Sequence, residues 1–153
     1  MKICEFLKED HVFIDLEPGD KTSLLKEFVS GLKKRSLISE EKVILEELLK
    51  RETLGSTGLE NGIAVPHALT KEVKDPLLAL ALMKEGVDFE AVDRMPTFII
   101  ILLLGNIENP GLQLKLLAHI CRLVKETDFV EKTKKASTRL DICKILEEEE
   151  KKI

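Results

Sequence analysis

The sequence contains neither tryptophan nor tyrosine, and phenylalanine occurs only six times among its 153 residues. The sequence therefore has few aromatic side chains with which to stack on nucleic-acid bases or on sugar rings. Basic residues are also in the minority, with 24 lysines and arginines against 28 acidic side chains and a formal net charge of −4. A nucleic-acid binder needs a basic face, so this balance argues against nucleic acid as a partner.

Long apolar segments are absent from the sequence as well. The longest run, residues 98–104, is far shorter than the ~20 residues that a membrane-spanning helix needs, so we expect no direct insertion into a membrane. Charged side chains also interrupt the first ten residues, which predicts that no signal peptide is present. With 44% hydrophobic and 34% charged residues, the composition is typical of a globular protein, and we expect it in the cytoplasm.

The three cysteines, Cys4, Cys121 and Cys143, are far apart and form no CxxC motif, which argues against a zinc ribbon or a redox pair. We expect them to be small hydrophobic side chains in a reducing compartment. No HExxH motif is present, and no cysteine or histidine lies within helical or hairpin spacing of His67, so no metal site and no cofactor are predicted. The Walker sequence GxxxxGK(S/T) is missing too, which argues against nucleotide hydrolysis.

The length is typical of one domain, which we place at residues 1–153. A turn is predicted at Pro18-Gly19, and Asp20 is the predicted N-cap of a first helix whose apolar residues follow helical spacing: Leu25, Phe28, Val29 and Leu32. Ser39 is predicted to cap a second helix, with acidic residues in its first turn, where the helix dipole favours them. Further helices are expected at residues 112–126, 129–136 and 140–146, followed by a charged tail at 147–152 that frays.

Two continuous apolar segments, residues 77–83 and 97–104, have the length of strands. Because polar residues do not alternate within them, they indicate strands that are covered on both faces. Shorter strands are predicted at residues 13–16 and 63–65, the latter because Pro66 keeps the preceding residue out of the helical region. Helices before, between and after buried strands predict an α/β fold, with a central mixed β-sheet sandwiched by helices on both faces.

His67 is the strongest candidate for a chemical role among the three histidines. It follows a predicted buried strand and Pro66, at the end of a segment with three glycines, where the backbone is stiffened by proline and can approach an anion closely. A neutral imidazole is a good nucleophile toward phosphorus, and phosphoryl transfer asks mainly for positioning and positive charge. The alternative is a loop histidine that bonds a carbonyl and holds the turn. His11 and His119 lie among charged residues and are expected to face solvent.

An extended motif, RETLGSTGLENGIAVPH, occupies residues 51–67. In order and spacing it closely resembles the active-site signature of the type-2 IIA proteins of the bacterial phosphoenolpyruvate-dependent sugar phosphotransferase system. That class includes fructose, mannitol and nitrogen-regulatory members. Residues 87–89, with Asp93 ahead of Pro96, resemble the family's turn into its central strand, and residues 114–118 resemble its next helix, so the resemblance covers nearly the whole chain.

The resemblance implies a histidine-phosphorylated phosphotransferase. His67 matches the histidine that accepts a phosphoryl group from the phosphohistidine of the small carrier protein HPr, or its paralogue, and passes it to a IIB protein or domain, commonly onto a cysteine. Arg51 matches the arginine that neutralises the phosphoryl oxygens, a role that suits a planar guanidinium. Thr57 matches a hydroxyl beside the site, and a loop or capping hydroxyl is its other interpretation.

The sequence departs from the family pattern in three places. Gln113 stands where many relatives have a second histidine; it is expected beside the phosphoryl group, to which an amide can donate hydrogen bonds without carrying charge. Arg94 and Thr97 replace the family's usual small and aliphatic residues. Residues 68–70 lack the basic residue that often follows the active histidine, which predicts a less positive site.

Two functions stay open at this point. The first, which the integrity of the motif favours, is a phosphocarrier component of the sugar phosphotransferase system acting during sugar uptake. The second is a nitrogen-type regulatory phosphoprotein or binding module. Such a protein would act by contacting a regulatory protein target such as a kinase, a transporter or a transcription factor.

Overall fold

The computed structural model describes residues 2–17 and 19–153. Within them the chain forms five α-helices: α1 (Lys21–Lys34), α2 (Glu41–Thr53), α3 (Pro110–Glu126), α4 (Phe129–Lys134) and α5 (Arg139–Glu150). It also forms five strands: β1 (Val12–Phe13), β2 (Ile63–Ala64), β3 (His67–Thr70), β4 (Leu77–Val87) and β5 (Thr97–Asn106). The turn predicted at Pro18-Gly19 depends on Pro18, which lies outside the described residues.

The five strands form one sheet, in which β4 and β5 are a long antiparallel pair. On one side β1 lies parallel to β4. On the other side β2 and β3 both lie parallel to β5, with β2 near its beginning and β3 near its end. The sheet is therefore mixed, which confirms the prediction.

Both faces of the sheet are covered by helices. Successive residues of β4 point to opposite faces, so Ala79 and Ala81 pack on the side of α1 and α2, whereas Leu78 and Leu80 pack on the side of α3, α4 and α5. All four side chains are buried. Burial on both faces explains why polar residues do not alternate along this strand, and it confirms the predicted α/β sandwich.

The first helix begins where the sequence predicts. The Asp20 carboxylate accepts a hydrogen bond from the backbone N–H of Ser23 at 2.8 Å, which satisfies a free donor of the first turn. The predicted cap at Ser39 is wrong, because α2 begins after Glu40 and has no side-chain cap. Both residues are exposed, so water can satisfy the N–H groups of that first turn.

Strand boundaries differ from the predictions at three points. β1 ends at Phe13, where its pairing with β4 stops. β4 continues past two exposed charged residues, because Val87 still pairs with Thr97 of β5. No strand is predicted at residues 67–70, where β3 lies, since four residues are too few to show a period.

The acidic C-terminal segment is ordered helix, so the prediction that it frays is wrong. α5 continues to Glu150, and both Glu149 and Glu150 are buried. The Glu149 carboxylate accepts hydrogen bonds from Lys152, from Lys132 and from the backbone N–H of Asp128. These partners, Lys152 foremost, hold the pKa of the Glu149 carboxyl well below its ordinary value of 4.5, at about 2.

His11 and His119 are half-buried, so the prediction that they face solvent is wrong. Nδ1 of His11 donates to the carbonyl oxygen of Leu78 at 2.9 Å. Nε2 of His119 pairs with the Glu150 carboxylate at 2.9 Å, and that carboxylate also accepts from backbone N–H groups of the N-terminal turn, Ile3–Glu5. His119 therefore joins α3 to α5 and to that turn, through contacts that its neighbours in sequence do not reveal.

Candidate active site

His67 is the first residue of β3, where it pairs in register with Leu103 of β5. Pro66 before it is buried, and its carbonyl accepts a hydrogen bond from the backbone N–H of Leu103 at 3.0 Å. The sequence places His67 at the end of a loop, whereas the structure places it at the start of a strand. The sheet and the proline therefore both restrain the backbone that carries the imidazole.

The orientation and tautomer of the His67 ring are set by one hydrogen bond. Nδ1 lies 2.8 Å from the carbonyl oxygen of Val65. Because a carbonyl oxygen only accepts, Nδ1 must carry the hydrogen, and in the neutral ring Nε2 is left with a free lone pair. The contact expected of a histidine that holds a turn is present, and the same contact leaves Nε2 available to a ligand or partner.

A surface cavity of about 470 Å³ lies beside this imidazole. Its lining residues come from α2 and the turn after it, from β3 and from α3: Glu47, Lys50, Arg51, Leu54, His67, Ala68, Leu69 and Gln113. Three of the four predicted site residues, His67, Arg51 and Gln113, therefore meet around one space although they belong to separate elements.

Arg51 lies in the last turn of α2, where the helix dipole favours a cation. Its Nη1 donates to the carbonyl oxygen of Gly55 at 3.1 Å, which holds the half-buried side chain against the turn that follows the helix. A guanidinium has five N–H donors, so the rest stay available for an anion in the cavity.

The cavity wall contains two charged residues outside the motif. Lys50 adds a second cation beside Arg51. Glu47 accepts a hydrogen bond from the Thr70 hydroxyl at 2.9 Å, which ties α2 to β3. Residues 47, 50, 51 and 54 have the i, i+3, i+4, i+7 spacing of one helix face, and this spacing is the sequence signal that would have found Lys50 and Glu47.

Thr57, a buried residue of the loop at 55–62, is not among the residues that line the cavity. Its hydroxyl donates to the Glu52 carboxylate, 2.6 Å from Oε2, and its backbone N–H donates to Oε1 at 3.1 Å. Lys21 of α1 forms a 2.8 Å ion pair with the same carboxylate. Thr57 is therefore placed to hold the loop that follows Arg51. The Glu52 carboxylate accepts all three of these contacts, a role that its position in the motif does not predict.

The glycine at position 58 serves packing rather than anion binding. A Cβ built on Gly58 would lie 2.9 Å from the Phe89 carbonyl oxygen and 2.9 Å from the Cα of Ala91, so a larger residue does not fit against that segment. Its N–H already donates to the Ser56 hydroxyl at 3.1 Å. The expectation that the loop glycines turn their N–H groups toward an anion is therefore not met at Gly58.

Gln113 is the fourth residue of α3, which begins at Pro110 behind an Asn109 cap. Its side chain is only 7% exposed, so it is a buried residue and not a surface residue at a helix start. Its Oε1 is buried and accepts no hydrogen bond from any residue that the structure describes. A buried polar atom without a partner is rare, and this one belongs to a side chain that adjoins the cavity beside His67.

Other chemistry has little support in the described parts of the chain. Within residues 2–17 and 19–153, no three histidine, cysteine, aspartate or glutamate side chains lie close enough together to hold a metal ion. The three cysteines are half-buried free thiols, and burial raises the pKa of the Cys4 and Cys143 thiols, which disfavours the reactive thiolate. None of the helices in the described ranges is long and apolar enough to cross a membrane.

Comparison with known proteins identifies the family of this chain. The family described as "Phosphoenolpyruvate-dependent sugar phosphotransferase system, EIIA 2" matches residues 5–149. The chain therefore belongs to this family, whose domains carry phosphoryl groups. The resemblance first visible in residues 51–67 is confirmed over nearly the whole chain.

The matching proteins include fructose-specific, mannitol and nitrogen-regulatory members of the family. The fructose-specific EIIABC component of Bacillus subtilis (strain 168) is 28% identical over 99% of this chain, which spans 24% of that protein's length. The crystal structure of nitrogen regulatory protein IIA-Ntr from Neisseria meningitidis is 32% identical, with a TM-score of 0.85 over 94% of this chain and 98% of that one. Enzyme IIA mannitol of Escherichia coli, solved in complex with phosphorylated IIB mannitol, is 17% identical and shares the fold, with a TM-score of 0.76 over 93% of this chain and 99% of that one.

Proposed function

We propose that residues 1–153 form a cytoplasmic phosphocarrier domain that accepts a phosphoryl group on Nε2 of His67 and passes it to a protein partner during sugar uptake. The donor is HPr or its paralogue, and the acceptor is a IIB protein or domain. The observation that carries the proposal is the meeting of His67, Arg51 and Gln113 around one cavity. It is strengthened by the hydrogen bond to Val65, which leaves the lone pair of Nε2 free.

In the accepting step, the lone pair of Nε2 attacks the phosphorus of the donor's phosphohistidine. The Nε2–P bond forms as the donor's P–N bond breaks, and that bonding pair returns to the donor imidazole. Nδ1 of His67 keeps its proton, so the phosphorylated ring is positively charged and the Val65 carbonyl stabilises it. In the passing step a thiolate of the IIB partner attacks the phosphorus, and the electron pair of the Nε2–P bond returns to His67.

The cavity supplies the charge that this transfer requires. Arg51 pairs with phosphoryl oxygens through its planar guanidinium, and Lys50 adds a point charge nearby. Gln113 donates a neutral hydrogen bond from its amide NH₂. Thr57 acts indirectly. Its hydrogen bond to Glu52 holds the loop in which the Gly55 carbonyl accepts a hydrogen bond from Arg51.

Two exposed leucines favour a protein as the partner at this site. Leu54, which lines the cavity, is 81% exposed, and Leu114, which follows Gln113, is 69% exposed. Large apolar side chains exposed beside a reactive group are typical of a docking surface. Enzyme IIA mannitol, which has the same fold, forms a complex with phosphorylated IIB, and we extend that kind of association to this chain.

A regulatory role is the second candidate function, and the likeness to IIA-Ntr favours it. That protein is 32% identical to this chain with a TM-score of 0.85, and the fructose EIIABC component is 28% identical to it. In this second role the phosphoryl group on His67 changes the contacts made with a regulatory target, and onward transfer to a IIB protein is not required.

Reconstitution separates the two candidates. The protein is incubated with phosphoenolpyruvate, enzyme I and HPr, and its intact mass is expected to rise by one phosphoryl group. Purified IIB domains of the fructose and mannitol types are then added. Movement of the group to a IIB domain supports the transport role, and phosphorylation without onward transfer supports the regulatory role. An unchanged mass would contradict both candidate functions, provided that an established IIA protein is labelled in the same mixture.

A further inference from the structure

Gly105 lies against Gln113, which lines the cavity beside His67. Gly105 belongs to β5 and pairs with Leu69 of β3, which itself lines the cavity. A Cβ built on Gly105 would lie 2.3 Å from Oε1 of Gln113 and 3.1 Å from both its Cβ and its Cδ. Real Cβ atoms do not approach so closely, so any larger residue at position 105 displaces the glutamine.

The displacement cannot be absorbed by the tip of the glutamine alone. Its Cβ is attached to the backbone of α3, so a contact of 3.1 Å there moves the helix or changes the rotamer of the side chain. Gly105 is itself buried near the end of β5, where it pairs with Leu69 of β3, and its neighbour Leu104 pairs with both β3 and β4, which restricts movement of the backbone. The empty space at position 105 is therefore what lets a long, buried amide lie along the strand.

We infer that Gly105 is a positioning residue for phosphoryl transfer: the absence of a side chain there seats the Gln113 amide beside the phosphoryl group of His67. The expected effect on the phosphoprotein rests on the proposed function. The packing of Gly105 against Gln113 does not depend on that function. The unpartnered Oε1 agrees with the inference, because no donor among the described residues holds the amide in another orientation.

The chain offers a matched control for the substitution Gly105→Ala. Gly111 lies two residues from Gln113 in the first turn of α3, and a Cβ built there meets no atom within 4 Å. Gly111→Ala therefore adds the same methyl group to the same neighbourhood without touching the glutamine. Gln113 is also the sole glutamine of the sequence, so selective labelling of glutamine side chains with nitrogen-15 yields one pair of amide signals.

The experiment compares wild type, Gly105→Ala, Gly111→Ala, Gln113→Ala and the double variant Gly105→Ala/Gln113→Ala. In the unphosphorylated protein, Gly105→Ala is expected to shift the Gln113 amide signals and Gly111→Ala to leave them in place. After phosphorylation through HPr, Gly105→Ala is expected to shorten the phosphoprotein lifetime by about three- to tenfold, the equivalent of one neutral hydrogen bond. The double variant should match Gln113→Ala, because the two changes remove the same contact.

Two results would overturn the inference: unmoved Gln113 signals in Gly105→Ala, or a further equal loss of lifetime when Gly105→Ala is added to Gln113→Ala. If Gly105→Ala fails to fold, the double variant Gly105→Ala/Gln113→Gly decides, since glycine at position 113 removes the Cβ as well as the amide, and with them the clash; a double variant that stays unfolded while Gln113→Gly alone folds contradicts the inference. If even the wild type accepts no phosphoryl group, the proposed function fails and the amide signals still test the packing.

Discussion

The Nδ1–H of His67 donates to the carbonyl oxygen of Val65, two residues before it, at 2.8 Å. This short-range bond gives the ring one orientation and one tautomer before any partner arrives, so the proposed acceptance of a phosphoryl group on Nε2 requires little reorganisation. Arg51, Thr57 and Gln113 have separate proposed roles, and substitution of each is expected to have a different effect.

Arg51→Ala is expected to slow phosphoryl transfer from HPr by about 10²-fold, because it removes a charged donor aimed at the phosphoryl oxygens. Arg51→Lys keeps the charge without the planar fork and should give an intermediate rate. Stability should fall by no more than about 1 kcal/mol, since the folded-state contact of Arg51 is one hydrogen bond to Gly55. Rapid-quench transfer measurements test this, with Lys42→Ala, exposed on the same helix, as the control. A wild-type rate for Arg51→Ala would show that the arginine does not act on the phosphoryl group.

Thr57→Val is expected to destabilise the fold by about 1–3 kcal/mol, because the buried Glu52 carboxylate loses its hydroxyl donor. Thr57→Ser keeps that donor and should be close to wild type. Denaturant titration measures both values, and transfer rates should fall in Thr57→Val only to the extent that the loop at 55–62 is loosened. Equal unfolding midpoints for the valine and serine variants would contradict this account of Thr57.

Gln113→His should lengthen the life of the phosphoprotein, most clearly at mildly acid pH, where the new imidazole is charged. A charged donor contributes about 1.5–3 kcal/mol, against about 0.5–1.5 kcal/mol for the neutral amide. Gln113→Ala should shorten that lifetime. Each variant is compared with wild type at the same pH, from about pH 5 to pH 8. Identical lifetimes for the three proteins over that range would remove Gln113 from the site.

Glu149→Gln tests the buried carboxylate at the end of α5. Lys152, Lys132 and the backbone of Asp128 lower the pKa of Glu149 from 4.5 to about 2. Its ionised form therefore stabilises the fold fully above pH 4.5, and this contribution is lost as the pH falls toward about 2. We expect Glu149→Gln to be less stable than wild type at neutral pH, with a gap that narrows across that interval. Urea titrations at several pH values measure it, with the exposed Glu148→Gln as the control. A gap that is independent of pH would contradict the role given to the charge.

The sheet and the central motif could be predicted because their causes are local. Burial of β4 on both faces leaves an uninterrupted apolar run in the sequence, and the motif of residues 51–67 carries Arg51 and His67 together. The depth of Glu149 could not be predicted, since an acidic run is typical of a solvated tail and its partners Lys132 and Asp128 lie elsewhere in the chain.

Thr57 and Gln113 show the same limit within the site. Motif position alone does not say what the Thr57 hydroxyl contacts, and in the structure it donates to the Glu52 carboxylate and is not part of the cavity lining. Helical pattern alone does not reveal that Gln113 is buried, because it packs against Gly105, a residue of a strand that precedes the helix.

Nitrogen-15 NMR of the histidine side chains, recorded before and after phosphorylation by phosphoenolpyruvate, enzyme I and HPr, tests the central claim most directly. Assignment relies on His67→Gln, His11→Asn and His119→Gln, the last two keeping a donor for the carbonyl of Leu78 and for Glu150. The account predicts one phosphoryl group, on Nε2 of His67, with Nδ1 still protonated. A phosphoryl group on Nδ1, on another histidine, or still present in His67→Gln would contradict it.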